Sequence, residues 1–307
     1  MRGTVVKSMG LWYVVADDKG KEYKCRLKGK FKLENKRISN PIAVGDYVGI
    51  EIDEGNHEAW IIGEILPRKN YIVRKSPKKK GFSHLIACNL DQAVLIATLD
   101  TPKTSFGFID RFLVTAEAFR IPAVIIFNKK DLLEEKELGE IELKIMEYKI
   151  IGYDSYMISA QESEGMEIFK SLLKDKTTLV SGHSGVGKST IINSLIPEAH
   201  QKISEISEFS NKGIHTTTFA ERFSIDRTSH IIDSPGIKEL GLAEINNEEL
   251  THYFPELRDL FGNCKFHNCT HTHEPGCAIG EAYEDGRISP TRYDSYISML
   301  TDDDNRR

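Results

Sequence analysis

The sequence predicts an α/β fold carrying a small module at each end. Three observations lead there. Strand-length apolar runs alternate with helical periodicity from about residue 85 to 240. The first 66 residues instead read as short strands separated by turns. Near the C-terminus, three of the five cysteines fall within 14 residues, among histidines. With 307 residues, 40% apolar and 28% charged, the composition is that of a globular chain of two or three domains.

The front strands are expected at Gly3–Lys7, Leu11–Ala16, Glu22–Leu27, Asp46–Ile52 and Ala59–Leu66. Turn signals at Asp17–Gly20, Asn40-Pro41 and Glu54–Asn56 divide them. Five short strands in so few residues suit a small closed barrel of the OB type, a fold that often binds nucleic acid. Charge agrees. Residues 1–85 hold 18 Lys and Arg against 10 Asp and Glu, whereas the remainder holds 23 against 36. The formal charge of -5 therefore hides a basic front, which favours a polyanionic partner. Within it, residues 27–37 interleave Lys and Arg with Phe31, the pattern of a basic groove with one stacking ring. A basic linker, residues 69–84, follows the barrel, residues 1–68.

From residue 85 to 240, strands are expected at Gln92–Leu99, Ala123–Phe127, Thr178–Ser181 and His230–Ile232. Helices are expected at Asp110–Phe119, Glu137–Ile150, Met166–Leu173 and Lys188–Leu195. Such alternation builds a mostly parallel sheet covered on both faces. Residues 241–307 turn helical, with a final helix at Pro290–Leu300.

Gly182-His183-Ser184-Gly185-Val186-Gly187-Lys188-Ser189, followed by Thr190, fits G-x-x-x-x-G-K-[ST] between a strand and a helix. Glycines let backbone N–H groups curl around phosphate oxygens, and the helix N-terminus favours negative charge. Lys188 would reach the β- and γ-phosphates. Ser189 would give its hydroxyl to Mg²⁺. Asp233-Ser234-Pro235-Gly236 follows a strand, which suits a water-linked Mg²⁺ carboxylate at Asp233 and a γ-phosphate-facing Gly236. Asn128-Lys129-Lys130-Asp131, also after a strand, resembles the N-K-x-D guanine motif. One carboxylate, Asp131, can accept from the N1–H and amine of guanine together, and adenine offers no such pair. Ser159-Ala160 is the matching loop beside the base.

The order of these motifs is 4-5-1-2-3, because Asn128–Asp131 precedes the phosphate loop. A parallel sheet can be reconnected in this way when its old termini lie close. The fold expected is thus a circularly permuted P-loop GTPase domain, flanked by an OB-type β-barrel and a C-terminal helical zinc-binding domain. Switch II would run directly into that domain through residues 237–243, a mechanical link by which nucleotide state could reposition it.

These motifs, with the barrel, Gly213–Thr218 and the cysteine cluster, resemble the ribosomal small-subunit-dependent GTPase A (RsgA-type) family over essentially the full length. The resemblance implies GTP and GDP as ligands and the 30S subunit with its 16S rRNA as partner. It also implies a role late in subunit maturation, with hydrolysis stimulated by the subunit. Three Cys and a nearby His read as metal before disulfide. Spacing alone admits His267, His271 or His273, and the family pattern favours one structural Zn²⁺ on Cys264, Cys269, His271 and Cys277. In switch I, one of Thr216, Thr217 or Thr218 is expected to reach Mg²⁺, with Thr217 favoured. Ile237 stands where many GTPases carry a water-orienting Gln, and His215 is a candidate for that role. No apolar run is long enough for a membrane span, and no signal peptide is evident. A cytoplasmic monomer is the expectation.

Overall fold

The computed structural model describes residues 1–29, 38–53, 56–75, 82–196, 220–233 and 245–301. Phe31, His215, Thr217, Gly236 and Ile237 lie outside these residues, as do the rest of 211–218 and the connection 237–243.

Five strands form the N-terminal barrel: β1 (Arg2–Met9), β2 (Trp12–Ala16), β3 (Glu22–Leu27), β4 (Tyr47–Asp53) and β5 (Asn56–Ile65). Their order is β1-β2-β3-β5-β4, and β4 pairs back with β1, so the sheet closes. Closure removes the exposed strand edges. Alternation does the rest: Val5, Tyr13, Val15, Cys25, Ile50 and Ile62 point inward and form the barrel core.

The segment expected as a basic linker is more structured than that. Strands β6 (Tyr71–Lys75) and β7 (Ser83–Cys88) make an antiparallel hairpin. The apolar Ile72, Val73 and Leu85 are buried there, so the basic residues that drew attention hide a strand pair. Arg68 fastens the hairpin's start to the barrel through two bonds to the buried Asp46, at 2.6 and 2.8 Å.

The central sheet contains β8 (Gln92–Ala97), β9 (Ala123–Phe127), β10 (Asp154–Met157), β11 (Thr177–Ser181), β12 (Glu221–Ser224) and β13 (His230–Asp233). Its order is β10-β9-β8-β11-β13-β12, parallel except for β12. Alternate residues of β8 enter opposite cores. Ala93, Leu95 and Ala97 face α1 (Phe106–Ala118) and α2 (Glu135–Ile150), and Val94 and Ile96 face α3 (Met166–Leu173) and α4 (Lys188–Leu195). Ser105 caps α1 by accepting from the Phe108 amide, and Glu134 with Glu137 forms a capping box on α2. Expected and observed bounds coincide for α3 and α4.

The barrel and this sheet are continuous. Strand β1 pairs with β12 at Lys7 and Glu221, which gives one sheet of eleven strands. The C-terminal region holds a 3-10 segment (Asn247–Tyr253), α5 (Pro255–Arg258), α6 (Ala278–Glu284) and α7 (Pro290–Leu300). It packs on α1, whose Val114 joins the core made by Leu250, Phe254, Ile279 and Tyr296. Among the described residues, no helix is long and apolar enough to cross a membrane.

Candidate nucleotide site and metal centre

The sequence-expected motifs converge at the C-terminal ends of the parallel strands, where open α/β sheets bind ligands. Gly182 follows β11, Asn128 follows β9, Asp233 ends β13, and Ser159 lies just beyond β10.

Asn128 ties three segments together. Its Nδ2 donates to the Val186 carbonyl at 2.9 Å, and its Oδ1 accepts from the Ala160 amide at 3.0 Å. A bond from each end of one amide fixes the phosphate loop against the loop of Ser159-Ala160. Gly187 is required beneath it. Its φ is +97°, and a Cβ there would stand 2.3 Å from Asn128 Nδ2. Gly182 is similarly confined, since a Cβ would fall 2.3 Å from the Ile96 carbonyl oxygen.

Asp131 is exposed at the rim and accepts a hydrogen bond from the buried Ser159 hydroxyl, which orients the carboxylate. Lys129 adopts the left-handed conformation, φ +67°, and its ammonium donates to the Thr101 carbonyl. Left-handed backbone at a non-glycine residue is a strain that tends to collect at functional sites. Lys130 points elsewhere and pairs with Glu164.

Lys188 folds over its own loop and donates to the Gly182 and His183 carbonyls at 2.7 and 2.6 Å. Burial lowers its pKa, and Asp233 opposes that effect. Asp233 is pushed up to about 6, by burial first, with Lys188 pulling down and Glu221 pushing up. Its Oδ1 is buried without a hydrogen-bond partner among the described residues. A buried carboxylate oxygen left bare beside a phosphate loop fits a cation-linked role. Ser189 and Thr190 are exposed at the start of α4, as are Ser184 and Gly185 in the loop.

Two neighbours escaped the motif reading. Phe108 of α1 packs against His183, with ring centroids 4.0 Å apart and planes tilted by 33°. Pro102 would meet a side chain at Gly185, 3.3 Å from its Cβ. Pro102 lies in the β8–α1 connection and Phe108 in the first turn of α1, both far from the phosphate loop in sequence, and no spacing rule points to them.

The second site is local. One ligand atom each from Cys264, Cys269, His271 and Cys277 gathers within 4.8 Å. His271 Nδ1 lies 3.5 Å from both Cys264 Sγ and Cys277 Sγ, and those sulfurs are 3.9 Å apart. Around a tetrahedral ion bonded at about 2.0–2.3 Å, ligand atoms stand roughly 3.3–3.8 Å from one another, so the set fits Zn²⁺. Burial, then the neighbouring thiols, raises Cys269 against the thiolate form that a metal would restore. Outer contacts fix the loop: Tyr293 donates to the His271 carbonyl at 2.7 Å, Tyr296 to that of Thr270 at 3.1 Å. His267 and His273 are exposed and outside the cluster. Geometry thus selects His271 where spacing left three choices.

Comparison with known proteins agrees with this arrangement. Residues 65–243 match the family model described as RsgA GTPase, and residues 2–61 match the RsgA N-terminal domain. A Cytophaga hutchinsonii protein named small ribosomal subunit biogenesis GTPase RsgA is 50% identical, with 100% of each chain covered. A Bacteroides thetaiotaomicron protein named small ribosomal subunit biogenesis GTPase RsgA 2 is 48% identical, covering 98% of this chain and 97% of the other. Among solved structures, YjeQ from Thermotoga maritima superposes with a TM-score of 0.76 at 34% identity, covering 100% and 99%. YloQ, described as a circularly permuted GTPase, gives 0.72 at 31%, covering 100% and 96%. A base loop that precedes its phosphate loop in the chain yet meets it in space is what circular permutation requires, and with these matches the chain belongs to the RsgA family of GTPases and is a GTP hydrolase.

Proposed function

We propose that this GTPase acts on the small ribosomal subunit, binding 30S through 16S rRNA late in maturation, with hydrolysis stimulated by the subunit. The names of the 50% and 48% identical relatives support the subunit as partner. The observation that carries the nucleotide chemistry is the double bridge of Asn128 between Val186 and Ala160. It holds the two base-side loops and the phosphate loop in one frame.

In this reading Asp131 accepts from the guanine edge, aligned by Ser159, while Lys129 and Ala160 line the base; Lys130, expected there too, is instead paired with Glu164. The loop Gly182–Thr190 wraps the phosphates, and Lys188 leaves its carbonyl partners to neutralise phosphate charge. Ser189 and Thr217, with Asp233 through water, would hold Mg²⁺, which when bound would offset charge developing on the transferred phosphate. Gly236 is assigned to the γ-phosphate and His215 to orienting water, both from the motif pattern alone. Cys264, Cys269, His271 and Cys277 hold one structural Zn²⁺. On the barrel, Trp12 carries Arg26 at 4.0 Å and Lys24 at 4.7 Å from its ring centroid. An aromatic face with two flanking cations suits stacking on RNA bases and pairing with phosphate. The protein works in the cytoplasm as a monomer.

The test is sedimentation with 30S and 50S subunits in GDP, GTP and non-hydrolysable-analogue states, paired with hydrolysis measured with and without subunits. Analogue-dependent binding to 30S alone, with faster hydrolysis, is expected. Equal binding to both subunits, or no stimulation, would overturn the assignment. Asp131→Asn should exchange guanine for xanthine preference, because the pairing pattern inverts.

A further inference from the structure

Helix α2 is apolar on two faces. Inward, Ile141, Ile145 and Tyr148 pack into the central core. Outward, Leu143, Met146 and Ile150 are 65, 59 and 81% exposed. A surface helix ordinarily turns one apolar stripe to the core and a polar face to water, so a second stripe calls for a second partner.

The outward residues keep a regular spacing. Gly139, Leu143, Met146 and Ile150 follow one another at intervals of four, three and four, the a/d seam by which one helix packs lengthwise on another. At 1.5 Å per residue the seam is about 17 Å long, room for roughly three turns of a partner helix. Space is open at its start, since a Cβ on Gly139 would meet nothing within 4 Å.

Charge says what kind of helix fits. The positions flanking the seam hold Glu140, Glu142, Glu147 and Lys149, three acids to one base. Lys149 leans over the Tyr156 ring, 5.2 Å from its centroid. Glu140 has Lys136 at 3.9 Å, and Glu147 takes Lys144 and the Ser289 hydroxyl. Carboxylates beside the seam repel RNA phosphate, and a second copy of this chain would bring the same acids with it. Flanking charges select the partner in paired helices, so the complement has Lys or Arg beside its own apolar seam.

We propose that the outer face of α2 docks a basic amphipathic helix of a partner protein. That partner is a protein of the 30S subunit, and in this the inference rests on the reading of the chain as a small-subunit GTPase. The seam residues belong to none of the nucleotide motifs, so docking and nucleotide binding can be measured apart.

The experiment titrates the full chain, loaded with Mg²⁺ and a non-hydrolysable GTP analogue, against purified 30S subunits. Affinity for labelled GDP is measured beside it. The double variant Leu143→Glu/Met146→Glu should bind subunits about threefold to tenfold more weakly, as loss of an interface anchor does. Its GDP affinity should stay within about twofold, because exposed positions contribute little to the fold. Glu142→Lys should also weaken subunit binding, by repelling the cations of the partner. A photo-crosslinking p-benzoylphenylalanine in place of Leu143 should join one subunit protein, at a helix with Lys or Arg beside its apolar seam. Unchanged subunit affinity in the double variant, or GDP affinity falling in step with it, would overturn the proposal. So would a Glu142→Lys variant that binds as well or better, or a crosslink to RNA, to a second copy or to nothing. A wild-type chain that fails to bind 30S would instead overturn the small-subunit reading, and the proposal with it.

Discussion

The two end modules are attached to the central region in different ways. The barrel has its own closed apolar core, meets the sheet at one β1–β12 residue pair, Lys7 with Glu221, and sends Val44, between β3 and β4, into the central core. The C-terminal module shares its core with the central domain through Val114 of α1. It is also fastened by charge. Arg292 of α7, buried, donates to Asp110 of α1 at 2.7 Å and to Glu256 at 2.7 and 3.2 Å. Phe254 lies against the guanidinium, 4.5 Å from the ring centroid. Tyr148 of α2 donates to the same Asp110 oxygen at 2.9 Å.

The difference lies in the core: the barrel keeps an apolar cluster of its own, whereas that of the C-terminal module is completed by Val114 of α1. A module that shares a core and a buried ion pair moves with its neighbour or not at all. The sequence suggested that switch II could reposition the C-terminal region through residues 237–243. The described residues add a second attachment, at α1, that any such motion would have to strain.

Breaking the metal centre should have the largest effect. Structural zinc in small domains supplies folding free energy of about 10–16 kcal/mol in isolated peptides. Cys277→Ser should lose the zinc, read by metal analysis, and expose the C-terminal module to protease. Both tryptophans, Trp12 and Trp60, lie in the barrel. Their fluorescence should therefore stay native in this variant, and a shifted emission would refute the independence of the two modules.

Arg292→Ala comes next. It leaves Asp110 and Glu256 buried without their cation, which costs about 3–5 kcal/mol. Chemical denaturation followed by far-ultraviolet circular dichroism should show the loss. A change below about 1 kcal/mol would mean the contact is not a fastening.

Trp12→Ala tests the other end. Removing one stacking ring should weaken single-stranded RNA binding by about 1–3 kcal/mol without altering GDP affinity. Unchanged RNA affinity in a titration would move the interface off this face.

The smallest effect is a pH dependence at His230 on β13. Burial, and then Arg222, lowers its pKa from 6.5 to about 4 in the folded chain. The unfolded state therefore binds more protons between those values. Stability should be full above about pH 6.5, fall as pH drops towards 4, and level off below. His230→Gln should flatten that part of a melting-temperature profile, and an unaltered slope would assign it to other groups.

Much of this was legible beforehand because it is local. The phosphate loop, Asn128–Asp131 and the cysteine cluster are each written in under 15 consecutive residues, and their chemistry dictates their spacing. Helices α3 and α4 each begin directly after a glycine and carry apolar periodicity. The hairpin β6–β7 was hidden, since basic residues at 74–80 outweighed a short apolar alternation. Strand β10 was missed because four residues carry little pattern.

By itself the sequence determined the class of fold, the permuted order of the motifs and the ligand types, since each follows from residue identity at short range. Tertiary structure alone decided that Asn128 bridges two loops and that Lys7 faces Glu221, and it gathers His271, the histidine the resemblance implied, with the three cysteines. Arg292 and Asp110 stand 182 residues apart. Such pairs depend on register and docking, which arise from burying surface across the whole chain, and no local pattern records them.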